Sequence, residues 1–180
     1  LNTDLKIKDL GERLFVSNGN GKQINLLGEC TGSIDITNGC VNSNGDINPK
    51  RLRLSNGSAQ IAGNLDAESI TINGGKLKIG DACTTGSLFM GKSRVEIAGD
   101  CTYSGVISMK NAEDYLKIGG NLYANGYSRK NSDYYLTNGT LEIQRNLIAR
   151  KNWSEKIDYY HYYYYPFDTK DDFKLLMTGD

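Results

Sequence analysis

A short pattern recurs along most of this 180-residue chain. A residue that is apolar in most copies is followed by any residue, Gly, an Asn, Asp or Glu, and a second apolar residue, as in residues 61–65 (IAGNL). Seven copies, two with the glycine displaced or replaced, begin at residues 26, 43, 61, 79, 97, 118 and 143. The step from one start to the next is constant near the middle of the chain and lengthens after the fifth copy. A repeat of this length is the signature of a solenoid, so it constrains the fold more than any other feature.

A second pattern lies between copies of the first. Apolar residues alternate and are followed by an Asn-Gly turn, as in residues 34–39 (IDITNG) and 52–57 (LRLSNG). Alternating runs around Asn-Gly usually indicate a two-residue hairpin. Here, however, each repeat places the same apolar columns at the same offsets, which stacked coils explain more simply than a ladder of hairpins.

The sequence therefore predicts an all-β fold, a single-stranded parallel β-helix (β-solenoid) with about 18 residues per coil. At about 3.3 Å per residue the perimeter is roughly 60 Å, which side chains can fill. Left-handed helices of this coil length follow a strict hexapeptide rhythm that this chain lacks, so we predict right-handed winding. In residues 69–86, Thr71, Lys76 and Lys78 are expected to face solvent. The predicted inward positions of this coil are Ile70, Ile72, Leu77, Ile79 and Cys83.

We predict one domain over residues 1–180, with regular short coils in residues 1–105. Residues 106–180 are expected to form looser coils with insertions and a Tyr-rich loop. Residues 5–7 and 14–16 are interpreted as strands of the first coils. Residues 150–171 are expected to leave the stack, and residues 173–177 to return to it as a strand. Because the chain lacks an initiating Met and an apolar signal segment, we expect it to be a piece of a longer protein.

Four cysteines raise the question of redox or metal chemistry. Cys30, Cys83 and Cys101 occupy a slot held elsewhere by Ile or Leu, so we predict that they are core residues. Cys40 follows an Asn-Gly turn and is expected to be the more exposed thiol, and all four are expected to be reduced. There is no CxxC pair, and His161 is the only histidine. We therefore predict no metal site.

Acidic and amide residues form a column at one corner of the predicted stack: Glu29, Asp46, Asn64, Asp100, Asn121 and Asn146. Calcium-binding β-rolls need two acidic turns per coil in a fixed Gly-rich arrangement, which is missing here. We interpret the column as tight or left-handed structural corners. Outward acidic and basic residues alternate, as on a mixed-charge surface: Asp35, Lys78, Arg94, Glu96 and Glu142. With no Ser-His-Asp set and no phosphate loop, we predict no enzyme, no catalytic residue and no cofactor.

Charge and aromatic content limit the partners. The 21 basic and 21 acidic residues give a formal net charge of zero, so no global field attracts nucleic acid, and no apolar run is long enough for a membrane span. The 12 tyrosines are concentrated where the coils loosen, with six in residues 159–165. Such rings can stack on sugars or anchor a protein interface, but they can also cap the open end of a solenoid or pack within loops. The candidate ligand contacts are Tyr123, Tyr127, Tyr134, Tyr135 and Trp153.

Several segments resemble the β-helical repeats of very large surface or secreted proteins of Gram-positive bacteria, in which coils of the form LNGGTLxIxGNL precede tyrosine-rich loops. The similar segments fall within residues 50–180 and read IAGNLDAESITINGGKLKIGDA, KSRVEIAGDC, YLKIGGNLYANGY and YLTNGTLEIQRNL. The resemblance implies a β-helical fold and a cell-surface setting more than any activity. The coil length and the Gly-Asp-apolar corner also resemble bactofilins, cytoskeletal proteins whose β-helices polymerise end to end. The insertions after residue 105 depart from their uniform pattern.

These expectations combine into a non-catalytic structural or adhesive module of a larger bacterial cell-surface protein. It is expected to be extracellular and to act as a rigid spacer or display rod. The expected partner is a cell-wall or host polysaccharide or another surface protein, with no nucleic acid and no membrane insertion, and the isolated domain is expected to be monomeric. Two alternatives remain open: a carbohydrate-binding module that uses the Tyr-rich loops, and a bactofilin-like polymerising subunit.

Overall fold

The computed structural model describes residues 5–8, 11–17, 23–149, 153–157 and 160–178. Every regular element in these ranges is a β-strand, so the prediction of an all-β fold is confirmed. Within the same ranges there is no helix with the length and apolar character of a membrane span.

Seventeen of the described strands form one parallel stack, and four form a small antiparallel sheet, which we call the side sheet. The stack contains β1 (Leu5–Ile7), β2 (Arg13–Val16), β3 (Gln23–Leu26), β4 (Ser33–Thr37), β5 (Cys40–Ser43), β6 (Arg51–Ser55), β7 (Ser58–Ile61), β8 (Leu65–Asn73), β9 (Lys76–Ile79), β10 (Cys83–Gly91), β11 (Arg94–Ile97), β12 (Cys101–Met109), β13 (Tyr115–Ile118), β14 (Leu122–Ala124), β17 (Leu136–Ile143), β18 (Leu147–Ala149) and β21 (Thr169–Met177). The side sheet contains β15 (Arg129–Lys130), β16 (Asp133–Tyr134), β19 (Trp153–Ile157) and β20 (Tyr160–Tyr165).

The strand register confirms the repeat. Leu77 pairs with Ala59 in the preceding coil and with Val95 in the following one, both at the regular step of the sequence motif. Val95 then pairs with Leu116, and Leu116 with Leu141, at the two longer steps that end the motif series. Because the strands on both sides of the turns at residues 38–39 and 56–57 pair in parallel with other coils, these turns join sides of a coil and not the arms of a hairpin.

A regular coil has three straight sides, visible in residues 65–79. Residues 65–67 of β8 form side three, residues 69–73 of β8 form side one, and β9 forms side two. At the corner between sides one and two, the backbone enters the left-handed region in four successive coils. The residues with positive φ there are Asn38 (54°), Asn56 (49°), Gly74 (67°) and Lys92 (53°). Asn and Gly tolerate this conformation best, which explains the recurring turn motif.

The core fills the inside of the stack as predicted. All five inward residues assigned to residues 69–86 are at most 2% exposed. Of the three predicted solvent-facing residues, Lys76 and Lys78 are exposed and Thr71 is half-buried. Cys30, Cys83 and Cys101 are buried core residues, as predicted, whereas Cys40 is half-buried. Burial raises the pKa of the Cys30 thiol to about 11, which keeps it protonated and unreactive at neutral pH.

The column of acidic and amide residues lies at a corner of the stack, between consecutive strands, as predicted. Its described members are not among the residues with positive φ, so these corners are not left-handed. Several of the side chains also reach the next coil. Oδ1 of Asp46 accepts a hydrogen bond from the backbone N–H of Asn64 at 2.7 Å, and Oδ1 of Asn64 accepts one from the N–H of Ala82 at 3.0 Å. Asp100 and Asn121 repeat this contact at 2.7 Å, so the column links neighbouring coils.

The C-terminal strand rejoins the stack as predicted, although it begins at Thr169, four residues earlier than predicted. In β21, Leu175 pairs with Leu141 and Met177 with Ile143, so both continue inward columns. They nevertheless remain 39% and 49% exposed. This end of the core is thus uncovered by the described residues. Residues 160–165 of the tyrosine run form β20 of the side sheet, and Tyr159 lies outside the described residues. Tyr164 packs against Tyr127 of the first insertion, which is the loop packing that the sequence left open beside capping.

Candidate functional site

Both long insertions emerge from the same corner of the stack. In β8, β10 and β12 the chain passes from side three to side one without leaving the strand. Later, the connections from β14 to β17 and from β18 to β21 carry the side-sheet strands instead. Because these coils are stacked, the two insertions lie one above the other, and β15 of the first pairs with β20 of the second. The side sheet therefore joins two consecutive coils.

One part of the side sheet is organised around Arg129. Its guanidinium lies 4.5 Å from the ring centre of Tyr134 and 4.6 Å from that of Tyr165. Its Nη1 also forms an ion pair of 3.0 Å with Asp168. Two rings and one carboxylate thus surround this guanidinium and fix the position of Tyr134, one of the predicted ligand contacts.

A second group of rings includes two more predicted contacts. The ring centre of Tyr127 lies 5.9 Å from that of Tyr135 and 5.3 Å from that of Tyr164, both in tilted arrangements. Trp153 occupies the register position opposite Tyr164 on β19, but its side chain lies outside the described residues. Tilted pairs at these distances are favourable, so the rings stabilise the junction between the two insertions.

Tyr123 lies apart from the side sheet. It is on β14 in the stack, paired with Thr102 and Ile148, and it is half-buried. Its hydroxyl accepts a hydrogen bond from Nδ2 of Asn121 at 3.5 Å. The structure therefore brings Tyr127, Tyr134 and Tyr135 to the side-sheet corner and leaves Tyr123 in the coil.

Tyr103 anchors the second insertion and was missed by the sequence analysis. Its side chain is fully buried, and its hydroxyl donates a hydrogen bond of 2.5 Å to the carbonyl oxygen of Pro166. Burial raises its pKa, so the hydroxyl remains a donor. It occupies a column that holds Ala67, Thr85 and Ala124 in other coils. A large Tyr in a column of small residues was therefore the sequence feature that could have indicated this anchor.

A groove opens where the first insertion meets side one. Its volume is about 360 Å³. We call it the corner groove, and it is lined by Lys110, Ser132, Asp133, Tyr134, Tyr135, Thr137 and Lys170. The Nζ of Lys110 lies 5.1 Å from the ring centre of Tyr135, a cation–π distance. The groove thus combines two phenol rings, two aliphatic hydroxyls, two ammonium groups and one carboxylate. Its lysines were not predicted.

The carboxylates predicted to face outward are paired with cations, but the prediction is wrong for Asp35, which is buried beside its Arg13 partner. Asp35 contacts Arg13 at 2.7 Å, Glu96 contacts Arg94 at 2.6 Å, and Glu142 contacts Lys117 at 2.8 Å. These partners lower the pKa of Glu96 and of Glu142, which therefore stay ionised at neutral pH.

Asp114 is a buried acid whose pKa is raised, through loss of solvation. Its carboxylate accepts hydrogen bonds from the backbone N–H groups of Ser93, Lys110 and Asn111, so it holds a turn together. Within the described ranges, no three His, Cys, Asp or Glu residues are grouped closely enough to bind a metal ion.

Comparison of the chain with protein-family models, with curated proteins and with solved structures finds no match. The geometry of the stack, the side sheet and the corner groove therefore carries the functional argument.

Proposed function

We propose that this chain is a non-catalytic structural module, a rigid rod that holds the side sheet and its corner groove as a display surface. The observation that carries the proposal is that the stack continues past both insertions. Leu122 pairs with Leu147 across the first insertion, and Leu141 pairs with Leu175 across the second. Because coils on either side stay in register, the inserted strands add a surface without interrupting the core.

The setting we propose is the surface of a bacterium, outside the cell and within a larger protein. This part of the proposal rests on the resemblance of the repeats to β-helical surface proteins. A parallel stack suits the role of spacer because its ladders of backbone hydrogen bonds run along the rod, so bending the rod strains many bonds at once.

The first test is the solution mass by light scattering over a wide concentration range. We expect a constant mass near the 19.9 kDa of one chain, as for an isolated module. Mass that grows with concentration would contradict this and favour the polymerising subunit. The paired variant Leu175→Lys, Met177→Lys then identifies the contact, because both side chains are exposed on β21 and charges on an edge strand block pairing.

A second candidate function, carbohydrate binding, is favoured by the corner groove. Tyrosine rings beside hydroxyls and charged groups are a lining that suits sugars, since a ring can cover an apolar sugar face while polar groups bond its hydroxyls.

The test of this candidate is retention of the protein in gels that contain a soluble polysaccharide. We expect retention to be lost on replacing Tyr134 and Tyr135 by Ala, because both rings line the groove. Tyr163→Ala is the matched control, since Tyr163 is an exposed tyrosine of the same sheet that does not line the groove. Equal retention of all three proteins would exclude the groove as the sugar site.

A further inference from the structure

The two lysines of the corner groove each follow a residue of one column of the stack. Met109 pairs with Leu136, and Leu136 pairs with Thr169. Lys110, Thr137 and Lys170 each follow one of these residues directly. Stacked coils are about 4.8 Å apart, so the two lysine backbones are roughly 10 Å apart, with Thr137 between them. An anion above the Thr137 hydroxyl is therefore within reach of both ammonium groups.

A local irregularity interrupts the strand pairing at this point. The pairing between β17 and β21 shifts between Leu136 and Asn138, so β21 has an extra residue next to Lys170. Such a bulge re-aims side chains and interrupts the ladder. Lys170 is exposed and lines the groove, as does Lys110.

Lys110 and Lys170 are the cationic side chains that line the groove. Arg129, a guanidinium of the side sheet, is already paired with Asp168 at 3.0 Å. Neither Lys110 nor Lys170 forms an ion pair with a carboxylate among the described residues. The groove itself is lined by one acid, Asp133, against two lysines. Its local charge is thus positive, although the whole chain is neutral.

The lining also discriminates between classes of ligand. A small inorganic anion would form ionic contacts with the lysines but would not cover the two tyrosine rings. A neutral sugar would pack against the rings but would leave the two ammonium groups without an anionic partner. We infer that the corner groove binds an anionic sugar, one that carries a carboxylate or phosphate group. The acidic group lies between Lys110 and Lys170, and the sugar ring lies against the tyrosines. Asp133 accepts hydrogen bonds from sugar hydroxyls. This inference rests on the proposed carbohydrate-binding function.

The experiment compares two polymers with the same backbone, polygalacturonate and its methyl ester, in affinity electrophoresis. We expect polygalacturonate to retain the protein and the uncharged ester to retain it much less. Replacing Lys110 and Lys170 by Gln is expected to weaken retention by polygalacturonate about tenfold for each lysine, because hydrogen bonds to charged groups are the stronger class. The control is Lys76→Gln with Lys78→Gln, two exposed lysines of side two that change the net charge equally.

The outcomes separate the two levels of the proposal. Equal retention by both polymers that survives loss of the groove lysines would overturn the anionic preference and leave sugar binding intact. No retention by either polymer would overturn both. Equal weakening in the groove pair and the control pair would show attraction by net charge alone and overturn the site. Competition with galacturonic acid and with glucose 6-phosphate identifies carboxylate or phosphate as the preferred group, and release by neither would also count against the site.

Discussion

Replacing Leu77 by Ala is expected to lower the free energy of unfolding by about 2–5 kcal/mol. Leu77 is 1% exposed in the middle of side two, between Ala59 of the preceding coil and Val95 of the following one. Truncation removes buried apolar surface and leaves a cavity, and Ala59 is too small to fill it. In a solenoid each coil contacts only its neighbours, so the damage falls on both adjacent interfaces.

The measurement is urea unfolding followed by circular dichroism. Lys78→Ala is the matched control, because Lys78 is the next residue on the same strand and is exposed. Its effect is expected to stay within about 0.5 kcal/mol. Similar losses in the two variants would contradict the assignment of Leu77 to the core.

Replacing Gly126 by Ala is expected to destabilise the chain by about 1–3 kcal/mol, the usual range for overpacking. A Cβ at this position would lie 2.1 Å from the carbonyl oxygen of Gly105 and 2.6 Å from its carbonyl carbon. Both atoms are backbone, so no side chain can move aside. The N–H of Tyr127 also donates a hydrogen bond of 2.6 Å to that oxygen. The substitution therefore disturbs the stack where the first insertion begins.

Gly45→Ala provides the comparison for this prediction. A Cβ at Gly45 would have nothing within 4 Å, and its φ is not in the left-handed region. We expect a neutral effect or a gain of about 0.4–1 kcal/mol from the stiffer unfolded chain. Thermal unfolding of the two variants checks the pair, and a Gly126 variant as stable as the Gly45 variant would refute the close approach of the coils.

The stack was predictable because the same pattern of apolar residues recurs in successive coils. Ile70, Leu77 and Cys83 each belong to a column that recurs once per coil, and a shared column fixes which side chains point inward. The role of Asn64 was not predictable from its own surroundings. Local propensity favours a turn, but its hydrogen-bond partners lie one full repeat away in adjacent coils.

The corner groove was only partly predictable, for a related reason. Tyr134 and Tyr135 stood out by composition, whereas Lys110 and Lys170 are ordinary surface residues in the sequence. They come together only because Leu136 pairs with Thr169, far beyond one regular repeat, across an insertion of unpredictable length. Once the coils differ in length, the number of residues between two positions no longer tells which residues lie next to each other in the stack.

Because both insertions leave the stack at the same corner, the length of a loop there does not affect the geometry of the rod. Leu77 and Val95 are one regular repeat apart along the chain, whereas Leu141 and Leu175 are nearly twice as far apart. Each pair nevertheless lies in neighbouring coils. An inserted segment needs only to begin in one coil and end in the next. Loops at this corner can thus be gained, lost or exchanged in evolution while the core columns are inherited unchanged, and the same corner is a natural position for grafting a foreign peptide.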